Sequence, residues 1–241
     1  MLTMEADIKR EDAVVQPYPP VKISLWKKIT YRRQKWGDAI WLAMTKNIPF
    51  LQIFYKTKDT EAFVNFKLWF MQKVLGFNRG AYWPMHYTST VIEPKNVLVG
   101  IGSAPGLSPG CYIQGRGHLY IGDYVGIGPN VGIMAGTHHL HDLRIPRNGV
   151  TKIGNYCWIG MNSVIMPNIE LGDFTIVQAG SVVKNSFKEG YCVIGGNPAT
   201  LIKQFPPESY HLFERYKNKY EYNGFIPAHK FAAWRKENIW V

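Results

Sequence analysis

The chain has only three cysteines, Cys111, Cys157 and Cys192, and no two of them form a CxxC pair. That scarcity excludes a disulfide-stapled scaffold and a cysteine zinc cluster. No apolar run reaches the length of a membrane span. The N-terminal stretch MLTMEADIKREDAVV carries acidic residues and lacks an apolar core, so it does not read as a secretory signal. Together these absences predict a cytoplasmic protein. Acidic residues are also scarce: 17 Asp and Glu stand against 28 Lys and Arg, for a formal net charge of +11.

That excess is unevenly placed. Residues 1–95 hold fifteen basic against eight acidic residues, whereas residues 96–204 hold seven against five. In the N-terminal third the cations interleave with aromatics, as in SLWKKITYRRQKWGDAIWLAMTKN. Leu25, Ile29, Trp36, Ile40 and Met44 recur at helix-like spacing, and Pro49 ends the pattern. A second helix is predicted from an N-cap at Asp59 to Leu75, closing at Gly76. Two helices packed on the rest of the chain are the simpler reading. An interfacial helix held at an anionic, cytoplasm-facing membrane surface is the alternative. No nucleic-acid-binding motif accompanies the charge, so no nucleic-acid partner is expected.

The middle of the chain is neither helix-like nor strand-like in period. Aliphatic anchors recur every six residues, faintly at Ile101, Leu107 and Ile113, then at Ile121, Ile127 and Ile133. After a break they continue through Ile153, Ile159, Ile165, Leu171, Val177 and Val183. Small or β-branched residues fill the fifth place of the hexads, as at Val125, Ser163, Thr175 and Ser181, and Cys111 and Cys157 share that position. A period of six requires a chain that turns a corner once per hexad, with every anchor pointing into one narrow core. That is a solenoid, whose coils bury apolar surface only against their neighbours.

Three segments break the rhythm. Between Ile133 and Ile153 lies MAGTHHLHDLRIPRNGVTK, which concentrates His138, His139 and His141 with Asp142 and Arg144. A loop forced out of a rigid repeat and dense in titratable groups is where chemistry is expected. The exit from the repeat carries Gly195-Gly196-Asn197-Pro198 between Lys184 and Lys203. The weak start, SAPGLSPGCYIQGRGHLY, reads as a distorted first coil.

The repeat, the histidine-bearing loop, the string IGNYCWIGMNSVIMPNIELGDFTIVQAGSVV and the terminal GGNPA together resemble the hexapeptide-repeat acyltransferases. Within them the chain is most similar to the galactoside, maltose, nodulation-factor and xenobiotic acetyltransferase branch, and there to bacterial polysaccharide O-acetyltransferases. The resemblance implies an all-β solenoid, a left-handed parallel β-helix over residues 84–204. An N-terminal, partly helical extension would occupy residues 1–83 and a helical tail residues 205–241. It also implies a homotrimer, with acetyl-CoA in the groove between adjacent prisms and no metal.

Residue by residue, the resemblance places the catalytic histidine on His138, with His139 as competitor if the loop shifts by one. Imidazole suits a general base near neutral pH, taking the proton of an acceptor hydroxyl as it attacks a thioester. The oxyanion donor falls on the main-chain N–H of Met161. Main chain at Gly160, Met161, Ala179 and Gly180 would hold the pantetheine arm, and Lys184 and Lys203 its phosphates. Asp142 or a nearby carbonyl would orient the imidazole.

The early coil departs from the family's sugar-binding pattern: it reads Ser108, Pro109, Gln114 and Arg116, with no acid. This points from a free small sugar towards a larger, lipid-linked glycan or surface polysaccharide as acceptor. Two other readings stay open beside N-acetylation of an amino sugar. One is a metal enzyme of the γ-carbonic-anhydrase kind, drawing on His118, His138, His139 and His141. The other is a non-catalytic scaffold.

Overall fold

In a computed structural model, the described residues are 44–48, 51–207 and 220–241. The helix expected over Leu25 to Met44 lies, except for Met44, outside the described residues. Thr45–Val241 forms one compact unit.

Its body is three parallel sheets, each taking one short strand from successive coils. The first sheet stacks β1 (Thr90–Ile92), β3 (Tyr112–Gln114), β6 (Gly132–Met134), β10 (Val164–Ile165) and β13 (Val182–Val183). The second stacks β2 (Val97–Val99), β4 (Gly117–Ile121), β8 (Pro146–Ile153) and β11 (Glu170–Leu171). The third stacks β5 (Gly126–Ile127), β9 (Trp158–Ile159), β12 (Thr175–Val177) and β14 (Cys192–Gly196). Antiparallel β15 (Ala199–Gln204) closes that last sheet after a turn containing cis Asn197–Pro198.

The hexad arithmetic is visible in the register. Ile113, Ile133, Ile165 and Val183 stand in line on the first sheet. Ile121, Ile153 and Leu171 do so on the second, and Ile127, Ile159, Val177 and Ile194 on the third. Nearly all these side chains are buried and meet in one core. Burying each contributes about 1.5–3 kcal/mol. The fifth-place hydroxyls of Ser163 and Ser181 are fully buried and donate to the carbonyl of Gln178.

The faint start of the repeat is displaced from where the hexads suggest. Val91 lies opposite Ile113 and Val99 opposite Ile121, so these two residues, not Ile101 and Leu107, continue the core into the first coil. Ile101 and Leu107 are half-buried outside any strand. The long irregular segment after Gly100 absorbs the offset.

Corners need a left-handed backbone. Tyr124, Asn130, Tyr156, Asn162, Asn168 and Phe174 have φ between +55° and +65°. Asn tolerates this conformation, but an aromatic residue there is strained. At the corner between the second and third sheets the rings offset the strain by stacking from coil to coil. Tyr156 lies 5.0 Å from Tyr124 and 4.8 Å from Phe174, and Phe174 5.0 Å from Tyr191.

The segment before β1 and the C-terminus together seal the first coil, whose edge would otherwise be bare. The Tyr82 hydroxyl donates to the Val99 carbonyl and accepts from the Val99 N–H. Trp83 is fully buried and donates from Nε1 to the carbonyl of Pro105. Helix α1 (Gln52–Lys56) is followed by α2 (Phe66–Trp69), which widens into a π turn over Phe70–Val74. The helix expected from Asp59 therefore starts later: Asn65 is its cap, with Oδ1 accepting from the Leu68 N–H at 2.8 Å. Its predicted end holds, since Gly76 takes φ +89° just beyond it. Hairpin β16 (Tyr222–Asn223) and β17 (Ile226–Pro227) leads into α3 (Ala228–Asn238). There Phe231 and Trp234 pack on Tyr82 at 5.5 and 4.9 Å.

Candidate functional site

The insertion after Ile133 is built as a hairpin. Strand β7 (Gly136–His138) pairs antiparallel with the leading end of β8, setting Gly136 opposite Asn148 and His138 opposite Pro146. The hairpin leaves the body at the corner between the first and second sheets. Its root is fixed by groups that sequence reading had not assigned this role. The buried Gln114 carboxamide accepts from the Gly136 N–H at 3.0 Å, and Thr151 donates to the Met134 carbonyl at 2.8 Å. Asn168 Oδ1 accepts from the Val150 N–H at 3.1 Å. Gly136 must be glycine, because a Cβ there would stand 2.2 Å from the carbonyl oxygen of Arg116. Only the stacking of separate coils brings these residues together, so no local signal marked them.

Beyond the root, His138, His139 and His141 are all exposed. Among the described residues the His138 imidazole has no hydrogen-bond partner. The expected orienting carboxylate is engaged elsewhere: Asp142 accepts from Arg144 Nε at 2.9 Å and Nη2 at 2.8 Å. This guanidinium holds the Asp142 carboxyl below its ordinary range. Leu140, Leu143 and Ile145 line the same hairpin with their side chains in solvent.

The residues expected to hold an acyl donor lie at a different corner, where the third sheet turns into the first. Gly160 and Met161 follow β9, and Ala179 and Gly180 follow β12 one coil later. The Gly180 N–H donates to the Met161 carbonyl at 2.8 Å and ties the two turns together. Among the described residues, the main-chain N–H groups of Met161 and Ala179 have no acceptor. A Cβ on Gly160 would meet the Ala179 nitrogen at 2.5 Å, so only glycine lets the coils close there. The result is a strip of unpaired donors with little side chain above it, which an extended ligand could pair with as a strand does.

Lys184 is exposed just after β13, and Lys203 extends from β15 over the Phe205 ring at 5.1 Å. Trp158 is half exposed and lies flat over Gly126, whose missing Cβ would be 2.4 Å from the ring. Cys157 is buried, and burial pushes its thiol up to about 12, which removes it as a nucleophile near neutral pH. His118 is exposed on β4, opposite Val150. Among the described residues, no three His, Cys, Asp or Glu side chains of one chain converge on a metal position. No helix among them is long and apolar enough to cross a membrane.

One family model matches residues 151–185, the bacterial transferase hexapeptide of six repeats. The chain is 34% identical over 103 residues to the galactoside O-acetyltransferase of Escherichia coli (strain K12), covering 40% of this chain and 50% of that one. It is 42% identical over 62 residues to the chloramphenicol acetyltransferase of Agrobacterium fabrum, covering 25% and 29% respectively. The matched stretches thus span half or less of these relatives. Among solved structures, a galactoside acetyltransferase in complex with coenzyme A superposes with a TM-score of 0.47 at 27% identity, covering 55% of this chain and 66% of that one.

Proposed function

We propose that this chain, whose residues 151–185 carry the bacterial transferase hexapeptide repeat, is an acetyl-CoA-dependent O-acetyltransferase acting on a saccharide hydroxyl. The observation that carries the reading is the strip of N–H groups at Met161 and Ala179, unpaired among the described residues and set on two coils beside Gly160 and Gly180. The fold in this reading is a left-handed β-helix. Acetyl-CoA supplies a thioester carbonyl. Met161 N–H donates to the oxygen of that carbonyl as negative charge develops on it. Ala179 and Gly180 align the pantetheine arm, and Lys184 and Lys203 offer cations to its phosphates.

His138 takes the proton from the acceptor hydroxyl during attack, with His139 as competitor, and no covalent acyl-enzyme forms. In one chain the hairpin and the donor strip occupy different corners. A homotrimer, in which the hairpin of one subunit faces the strip of the next, reconciles them. It also covers the exposed Leu140, Leu143 and Ile145. Asp142 serves the hairpin through Arg144, leaving a carbonyl or a neighbouring subunit to orient the imidazole.

The saccharide acceptor is supported by the named activity of the Escherichia coli relative, and the missing early-coil acid favours a larger glycan over a free small sugar. Thiol release from acetyl-CoA, screened across glycans, amino sugars and chloramphenicol with wild type and His138→Ala, tests this reading. Transfer to none of the acceptors, or undiminished transfer by the variant, would defeat it.

A further inference from the structure

The N–H groups of Met161 and Ala179 belong to a column of four equivalent turns, one per coil, at the corner where the third sheet enters the first. The turns are Pro109–Gly110, Pro129–Asn130, Met161–Asn162 and Ala179–Gly180. Main-chain bonds stack them in that order. The Asn130 N–H donates to the Pro109 carbonyl, the Asn162 N–H to that of Pro129, and the Gly180 N–H to that of Met161. In each turn the second residue has positive φ, at +74°, +57°, +58° and +72°. Such a turn favours proline at the position before it. Pro167–Asn168, with φ +65° at Asn168, is the same pair at another corner. Turn preference alone therefore accepts proline in all four coils. Proline stands only in the first two, where it leaves no N–H to offer.

The glycines follow the same division. A Cβ on Gly128 would stand 2.7 Å from the Met161 nitrogen, and one on Gly160 2.5 Å from the Ala179 nitrogen. Each donor thus has a glycine one coil earlier that leaves its N–H uncovered. The equivalent residue one coil before Pro129 is Ser108, which keeps a side chain, its hydroxyl donating to the Ile127 carbonyl at 2.7 Å. Where there is no N–H, there is nothing to uncover. The proline and the missing glycine end the strip at the same coil.

We infer that Pro129 is a positioning residue for acetyl transfer, ending the donor strip at Met161. The inference rests on the function proposed above, in which Lys184 and Lys203 take the phosphates at the later coils. The acyl group then points towards the earlier ones. There the thioester carbonyl meets the Met161 N–H and, one coil or roughly 4.8 Å further on, a proline ring that cannot compete for it. An N–H at residue 129 would offer that carbonyl a second partner, one coil away from the place where attack is set up.

Ser108→Gly with Pro129→Ala gives this coil the pattern of the next, and Pro129→Ala alone is the milder change should the pair fail to fold. Rapid hydrogen exchange of the full chain, without acceptor, follows residue 129. Acetyl-CoA should slow exchange of the new N–H several-fold, whereas coenzyme A, which lacks the acyl carbonyl, should not. The kcat for acetyl transfer should fall by about twofold or more, the loss that an even split of the carbonyl between two donors gives. Coenzyme A affinity should stay unchanged. Pro109→Ala, two coils from Met161, should keep the wild-type kcat. In urea it should lose the same small stability as Pro129→Ala, since each frees the unfolded chain equally. Wild-type kcat in the Pro129 variants, or exchange at residue 129 indifferent to acetyl-CoA, would overturn the inference. So would an equal fall in Pro109→Ala, which would mark an effect of the turn alone. If acetyl-CoA left exchange at Met161 and Ala179 of the wild type unaltered, the donor strip itself would fall, and this inference with it.

Discussion

Asp142 and Arg144 form a two-pronged clasp at the tip of the hairpin, with Nε to Oδ1 at 2.9 Å and Nη2 to Oδ2 at 2.8 Å. The Arg144 main-chain N–H adds a third bond to Oδ1 at 3.0 Å. The clasp spans two residues and shapes the loop that carries His138 and His139, without touching either ring.

Removing the proposed base should separate chemistry from binding. His138→Ala should lower acetyl transfer by about 10²–10⁴ with coenzyme A affinity unchanged. His139→Ala should stay within a few-fold of wild type. Steady-state thiol release and calorimetry with coenzyme A check both, and the opposite ranking would move the base by one residue.

The clasp carries a pH dependence whose sign follows from Asp142. Its carboxyl is held below its ordinary value by Arg144, so the ordering of the hairpin tip is present above the usual carboxylate range. That order is lost as pH falls through the lowered value. Arg144→Gln should abolish this acid transition while leaving activity within a few-fold. Hydrogen exchange of the Arg144 N–H reports it, and an identical acid profile in the variant would remove the clasp from the account.

Gly160→Ala forces a methyl against the Ala179 nitrogen at 2.5 Å. Prising two coils apart should cost about 1–3 kcal/mol, as overpacking commonly does. Urea unfolding should show that loss. The KM for acetyl-CoA should rise too, because the same shift disorders the donor strip. A wild-type midpoint would show that the coils yield more easily than their contacts suggest.

The thiols supply a control on nucleophilic catalysis. All three cysteines are buried, and burial raises each thiol, Cys157 to about 12. A thiol raised on folding supports the native state fully below its unfolded value. It loses that contribution as pH climbs from there towards the folded value. Near pH 8 the native protein should therefore resist a thiol reagent that labels the unfolded chain. Cys157→Ser should retain transfer activity, whereas rapid native labelling at Cys157 would reopen the question of an acyl-enzyme.

Much of the body was legible along the chain because a solenoid is nearly one-dimensional. Each anchor needs only the coil before and after it, so a six-residue period carries through to the aligned column of Ile113, Ile133, Ile165 and Val183. The irregular parts were not legible in that way. The first coil escaped the count because Val91 and Val99, not Ile101 and Leu107, supply its core. Asn65 displaced Asp59 as a helix cap because Asn65, unlike Asp59, accepts an N–H of the first turn.

By itself the sequence determined the period, the place where it breaks, and the residue types at the break. Periodicity is a local property, fixed by which side chains must face inward. The tertiary structure alone decided which corner each group occupies. It also set the root of the hairpin on Gln114, Thr151 and Asn168, and packed Phe231 and Trp234 of α3 on Tyr82. Those relations join coils and termini far apart along the chain, and only the stacking of the coils and the return of α3 bring them together.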